Sequence, residues 1–334
     1  MGKKVAVIAI GGNSLIKDKT HQGVQDQYLA AKETCTHIAT MIEQGWDVVV
    51  GHGNGPQVGF ILRRSELAAH ELHEVPLDVC GADTQGAIGY ALVQNLQNEL
   101  HLRGIDRPVV AVVTQTEVAA DDPAFSKPTK PIGSFMDEAD AVRRRDQEGW
   151  EVVKDANRGW RRVVASPKPL RIVELEPIKR LIEAGVIVVG VGGGGVPVVK
   201  DGTGALHGVE AVIDKDLGCS LLAREVGADM FLITTAVEKV ALNFGTPDER
   251  QLDRLTVAEA KQYLAEGTHF AKGSMAPKVQ AVIEFLEAGP GAGSRSTGGT
   301  GNGGTGNGKE ALISDPVNIE RALAGETGTL FTIS

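Results

Sequence analysis

Short apolar runs alternate with longer polar-apolar stretches along most of this chain. Val5 to Ile10, Val48 to Val50 and Val186 to Val191 are apolar runs of strand length, the pattern of strands buried on both faces. In the first half the pattern predicts a strand over 4–10, a helix near 25–44, a strand over 46–50 and a helix near 57–73. A helix over 84–103 and a strand over 108–113 follow. In the second half it predicts a helix over 173–184, a strand over 186–191, a helix from Asp216 to Val226 and a strand over 229–234. Helices near 256–266 and 276–288 come next, then strands over 311–313 and 327–333 around a helix at 316–323. Strand-helix alternation of this kind builds βαβ units and a mainly parallel sheet.

Two segments break the rhythm. Between 121 and 170 the chain becomes proline-rich, with Pro123, Pro128, Pro131, Pro167 and Pro169, and carries Arg143-Arg144-Arg145. Trp150 to Lys154 and Trp160 to Val164 alternate like two strands, and residues 155–159 supply turn chemistry between them. The segment is expected to form an inserted antiparallel excursion acting as a lid. The second break, 291–308, is a Gly/Ser/Thr/Asn tract that buries too little apolar surface to order itself. It is expected to be a flexible, linker-like insertion in a single domain spanning 1–334. Gly303 to Lys309 imitates a GxxxxGK phosphate loop. Glu310 stands where a magnesium-binding hydroxyl is required, and no strand precedes it, so that function is rejected.

Composition narrows the class. In 334 residues, 42% are hydrophobic but only 4% aromatic, so the core is aliphatic, the usual material of a helix-covered parallel sheet. The net charge of −9 argues against nucleic-acid partners. Cys35, Cys80 and Cys219 are far apart and form no metal or disulfide spacing. The chain opens directly into a strand and holds no apolar run of membrane-spanning length, so a cytoplasmic location and no membrane partner are expected.

Each of the three apolar runs ends in glycines: Gly11-Gly12-Asn13, Gly51-His52-Gly53-Asn54-Gly55-Pro56, and Gly192 to Gly195. A strand feeding a glycine turn that opens a helix aims bare N–H groups at an anion. Three such turns predict a sheet edge lined with phosphate-sized sites. Phosphate chemistry also needs cations, and three lysines have distinctive surroundings. Lys130 lies between Pro128 and Pro131, Lys215 between Asp214 and Asp216, and Lys278 early in a helix that Ser274 would cap. A lysine in a first helical turn opposes the helix dipole, which marks Lys278 for attention. His52 is expected to bond backbone, and His70 and His73 lack a third metal ligand. HExxH, GxSxG and DFG are absent.

Together these stretches resemble the carbamate kinases of the amino acid kinase superfamily. The resemblance rests on Ala9 to Asn13, Gly51 to Gly59, Pro76 to Ala82, Lys127 to Gly133, Gly192 to Pro197, Ala211 to Asp216 and Gly273 to Val279, in that order. It implies an α/β fold, a three-layer αβα sandwich with a mainly parallel central sheet and a small protruding subdomain. It implies reversible phosphoryl transfer between ATP and carbamate, with ATP formed from carbamoyl phosphate and MgADP. By the same resemblance Gly11, Gly12 and Asn13 contact the transferring phosphoryl group, and Gly51, Gly53 and Asn54 hold the carbamoyl end. Lys130, Lys215, Asp216 and Lys278 are the catalytic set. Asp214, Thr234, Ala236, Val237 and Lys278 serve the nucleotide. Mg²⁺ is held mainly by nucleotide phosphates, with no direct side-chain ligand, and the chain is a homodimer. Asp83-Thr84 departs from the family pattern, at a place expected to affect a dimer contact or a helix start. The alternatives are another superfamily phosphotransferase acting on a carboxylate, and a non-catalytic nucleotide-binding sensor.

Overall fold

The computed structural model describes residues 4–12, 15–16, 20–155, 159–271, 273–288 and 308–334. Residues 156–158 of the expected hairpin turn and all but the last residue of the 291–308 tract lie outside them.

Eight strands form the central sheet. From edge to edge they are Arg254–Thr256, Thr329–Thr332, Glu310–Ser314, Met230–Thr234, Val5–Ile10, Asp47–His52, Ile187–Val189 and Val109–Ala111. Every neighbouring pair is parallel except Glu310–Ser314 with Thr329–Thr332. The central strand shows why the apolar runs have no polar face. Val7 and Ala9 enter one core together with Phe231, Ile233, Ala311 and Phe331. Ala6, Ile8 and Ile10 enter the other with Val48, Val50, Ile187 and Leu232.

Each core is closed by its own helices. Lys215–Glu225, Val257–Glu266 and Met275–Glu287 cover the first through Cys219, Leu222, Ala260, Val282 and Phe285. Val24–Glu43 and Leu77–Leu102 cover the second through Cys35, Ile38, Ile42, Ile88, Leu92 and Leu96. This is the three-layer αβα arrangement, with a mainly parallel sheet in the middle. Leu77–Leu102 begins seven residues before the expected 84. Pro76 fits at its start because no N–H is needed there, and Leu77, Cys80 and Thr84 continue the buried stripe. Asp83 is therefore an exposed residue inside the helix and does not set its start. Gln57–Ala68 stops before His70, so His70 and His73 do not share a helical face.

The segment with the broken rhythm carries a three-stranded antiparallel sheet, with Gly159–Val164 between Lys130–Met136 and Val152–Asp155. Sequence pattern missed the strand Lys130–Met136 and the helix Glu138–Glu148, which opens on Asp137 and ends at Gly149 in the left-handed region. A four-stranded sheet of Leu206–Gly208, Val196–Lys200, Gln115–Val118 and Pro169–Ile172 was also not anticipated. Lys309, in the false phosphate loop, has a structural post. Its Nζ donates to Ala288 O at 3.1 Å and sits 5.4 Å from the Phe285 ring centroid, tying the last helix of the first core to the strand that follows.

The glycine turn at 192–195 corrects an expectation. Gly192, Gly193 and Gly194 are buried, and their surroundings leave no room for an anion. A Cβ on Gly192 would overlap the His52 ring and one on Gly193 the Asn54 amide, while one on Gly194 would lie 2.8 Å from Ile213 Cγ2. Gln85 Nε2 donates to Gly192 O at 2.9 Å and Thr116 Oγ1 to Gly194 O at 2.9 Å. These glycines permit close packing. Gly218, inside the helix Lys215–Glu225, rests on them, and a Cβ there would lie 2.7 Å from Gly194 Cα and 2.8 Å from its carbonyl oxygen. Gly218→Ala is therefore expected to destabilise the protein by about 1–3 kcal/mol through overpacking. Helix propensity alone would predict a gain of roughly 1 kcal/mol. Urea unfolding of the variant decides the sign, and a stabilised variant would refute the packing.

Candidate functional site

Five charged side chains meet at the carboxyl end of the central strands. Asp214 caps the helix Lys215–Glu225, accepting from Asp216 N through Oδ1 at 2.9 Å. Its other oxygen accepts from Lys130 Nζ at 2.6 Å. Asp216, with a side chain only 3% exposed, takes Lys215 on Oδ1 and Lys278 on Oδ2, the latter at 3.0 Å. The two aspartates thus hold three lysines drawn from three elements.

Local structure explains the convergence. Lys215 and Lys278 each lie in the first turns of a helix, where the dipole disfavours a cation. Those helices pack side by side, and Ser220 Oγ donates to Ala281 O at 2.7 Å. Asp216, also in a first turn, is favoured by the same dipole and offsets both lysines. Ser274 occupies the N-cap position of the helix Met275–Glu287, but its side chain makes no capping bond. Lys130 arrives from the first strand of the antiparallel sheet.

The electrostatics follow. Burial pushes the Asp214 carboxyl up, but Lys130 first, then Lys215 and Lys278, outweigh it and hold the group well below the usual carboxylate range. Burial draws the Lys278 ammonium down, and Asp216, with help from Asp214, overcomes that and raises it. Lys278 is therefore a cation at neutral pH.

Two of the glycine turns border this cluster. Gly11 N donates to Thr234 Oγ1 at 3.1 Å, and a Cβ on Gly11 would lie 2.7 Å from Thr234 O, so only glycine fits between the strand ends. Gly53 N donates to Ile10 O at 3.0 Å, which ties the second turn to the first. A Cβ on Gly12 would meet Gly55 O at 3.1 Å, and one on Gly53 would meet the Lys215 stem at 3.4 Å. The absent side chains leave bare backbone beside Lys215, whose Nζ also reaches Ala9 O at 3.5 Å. Gly51 is a buried strand residue whose Cα faces the Cys219 thiol. Asn54 is buried against Gly193. Asn13 lies outside the described residues. Ala236 and Val237 follow Thr234 at the same sheet edge, and no bond joins them to the lysines.

Sequence reading missed the support beneath these turns. Gln85 Oε1 accepts from Thr114 N at 2.7 Å, while its Nε2 donates to Thr114 O at 3.0 Å and to Gly192 O. His52 does bond backbone, at 2.9 Å between Nδ1 and Gly53 O, and its ring fills the space over Gly192. The one available signal was Gly218, since a glycine inside a helix marks close approach. Among the described residues no group of three or more His, Cys, Asp or Glu side chains could hold a metal ion.

An α/β sheet edge with bare glycine backbone on one side and a lysine-aspartate network on the other defines the chemistry of a protein that handles anionic groups. The sequence matches the amino acid kinase family over residues 4–291, and the chain belongs to that family. It is 47% identical over 331 residues to the carbamate kinase-like protein YahI of Escherichia coli, covering 98% of each chain. It is 46% identical over 330 residues to the carbamate kinase of Thermococcus kodakarensis, again covering 98% of each. Its fold superposes on the carbamate kinase of Giardia lamblia bound to AMP-PNP with a TM-score of 0.86, at 38% identity and covering 99% of each chain. Among the described residues no helix is long and apolar enough to cross a membrane.

The buried titratable groups predict an acid-side loss of stability. Burial, aided by Lys215, lowers the His52 imidazole from 6.5 to about 4. Between those values the unfolded chain binds a proton that the fold refuses, so stability rises with pH across that window, by about 3 kcal/mol. The depressed Asp214 adds stability that is present above the ordinary carboxylate value and lost as pH falls through its lower folded one. Denaturant midpoints of wild type and His52→Gln, measured from pH 4 to 7, test this. The variant is expected to show a flatter slope between pH 4 and 6.5, and an unchanged slope would exclude His52 as the source.

Proposed function

We propose that the chain is an ATP:carbamate phosphotransferase that forms ATP from carbamoyl phosphate and ADP and runs reversibly. The observation that carries the proposal is the convergence of Lys130, Lys215 and Lys278 on Asp214 and Asp216, beside the bare backbone of Gly12 and Gly53. The identity to carbamate kinases over nearly the whole chain supports carbamoyl phosphate as the substrate.

Phosphoryl transfer demands alignment and charge neutralisation more than covalent help from the protein. In the proposed direction a terminal β-phosphate oxygen of ADP attacks the phosphorus of carbamoyl phosphate. The bond from phosphorus to the carbamoyl oxygen breaks, and carbamate leaves with its electron pair. Lys215 and Lys278, fixed on Asp216, offset the charge on the equatorial oxygens, and preorganised cations of this kind need no reorganisation during reaction. Gly12 contributes its backbone N–H group on the phosphoryl side, where Gly11 keeps the strand ends close, while Gly53 and Asn54 line the carbamoyl side. Lys130 comes from the antiparallel excursion, which acts as a lid that completes the site on closing. The nucleotide lies toward Asp214, Thr234, Ala236 and Val237. Both aspartates already face ammonium groups, so the donor set suits a Mg²⁺ that arrives on the nucleotide phosphates and keeps its waters. The ion would supply further neutralisation there. A homodimer is part of the same reading.

ATP formation from MgADP and carbamoyl phosphate, compared with acetyl phosphate, tests the function. No ATP from carbamoyl phosphate would end the proposal. Lys215→Ala is expected to lower kcat on the order of 100-fold or more, with nucleotide affinity reduced much less. A near-normal kcat would remove Lys215 from the mechanism. Lys130→Ala should raise KM for carbamoyl phosphate and lower kcat, while ADP affinity stays close to wild type. An equal loss of ADP binding contradicts the placement of Lys130 on the carbamoyl side.

A further inference from the structure

A cavity of about 400 Å³ lies between the helix Gln57–Ala68 and the strand Lys130–Met136. It shares no lining residue with the lysine-aspartate cluster. Its walls are apolar, from Phe60, Leu62, Phe135 and Met136, but its charged lining is mostly arginine: Arg63, Arg64, Arg144 and Arg162 against Glu66 and Asp140. In a chain of net charge −9 this is a local reversal of sign. The guanidinium groups are positioned, too. Arg144 and Arg162 lie 4.5 and 4.6 Å from the Trp150 ring centroid, and Arg162 pairs with Glu66 at 2.7 Å. Glu66 is shared with Arg63 at 3.3 Å, Asp140 is engaged by Arg143 at 3.1 Å rather than by a lining arginine, and Arg144 pairs with Glu148 at 3.1 Å. Arg64 makes no ion pair among the described residues. Apolar walls with a few fixed polar groups, at this volume, are the makeup of a small-molecule site, and low-dielectric walls concentrate the arginine field inside it.

We infer that this cavity binds a small organic anion, an apolar, flat body carrying one carboxylate, sulfonate or phosphate group. The body lies against Phe60, Phe135 and Met136, and the anionic group takes Arg64 and the free edges of the neighbouring guanidinium groups. The cavity is also a joint. The helix on one side continues from the turn at Gly51 to Pro56, and the strand on the other begins with Lys130. Where they touch, Gly59 and Gly133 meet backbone to backbone, and a Cβ on Gly59 would overlap Gly133 Cα. A ligand wedged there contacts both elements at once and sets the angle at which Lys130 is presented.

The experiment titrates the folded full chain with 8-anilinonaphthalene-1-sulfonate at saturating MgADP, by fluorescence and calorimetry. It does not depend on the reaction proposed above. The expected result is saturable binding of one probe per chain, retained in Lys278→Ala. Arg64→Glu removes an exposed cation, and Ser134→Trp fills the cavity from an exposed position. Both should weaken the probe by about tenfold or more, with circular dichroism unchanged. Displacement by MgADP, absence of saturable binding, or undiminished affinity in either variant overturns the inference.

Discussion

The site depends on Asp216, an almost fully buried carboxylate that holds two ammonium groups, one on each oxygen. Lysines crowded at two helix N-termini repel one another and oppose both dipoles. A carboxylate buried without them would carry a large desolvation cost, and the lysines without it would disperse. Each member is tolerable only because the others are present. Asp214 extends the arrangement by one step, joining Lys130 on one oxygen to the backbone of Asp216 on the other. A cation from a different sheet is thereby registered against the central strands.

The glycines serve two physical ends that look alike in sequence. At Gly12 and Gly53 the missing side chains leave backbone open beside Lys215. At Gly192 to Gly194 the missing side chains are replaced by His52, Asn54 and Ile213, which pack into the vacated space. The second set stabilises the first, because His52 and Asn54 belong to the very turn that lies beside Gly12. A buried turn forms a floor, and the half-buried turn above it can then be rigid with little side chain of its own.

Much of this was legible in the chain. The unbroken apolar runs of Val5–Ile10 and Met230–Thr234 gave the central strands, because a strand covered on both faces admits no polar alternation. The cluster residues were visible as oddities, lysines placed against the helix dipole and flanked by aspartates. Their convergence was not visible, since Lys130, Lys215 and Lys278 lie far apart in sequence and only the fold closes the distance. Helix Glu138–Glu148 escaped because its polar composition leaves few apolar positions to set a period, with Ala141 and Arg144 its buried residues. The short strands of the second sheet escaped because three to five residues carry too little alternation to register. Gln85 was unreadable for another reason: one amide making three buried bonds has no sequence signature.

Lys130 shows what an ion pair means when no substrate is present. Its partner Asp214 stays ionised well below the usual carboxylate range, because the surrounding lysines outweigh its burial. Under the proposed function, an anionic substrate entering the cleft must compete with Asp214 for that ammonium group or share it. Sharing is the less costly course. Asp214 keeps its bond from Asp216 N, while Lys130, with a side chain 28% exposed, retains two further donors for the newcomer. An ammonium can divide its donors in this way because it is a compact charge on a flexible stem, whereas a guanidinium fork commits its geometry to one planar partner. That difference accounts for the division of labour in the molecule. Lysines occur where charge must move with a reacting group, and arginines line the joint where the excursion bears on the helix and fixed geometry is required.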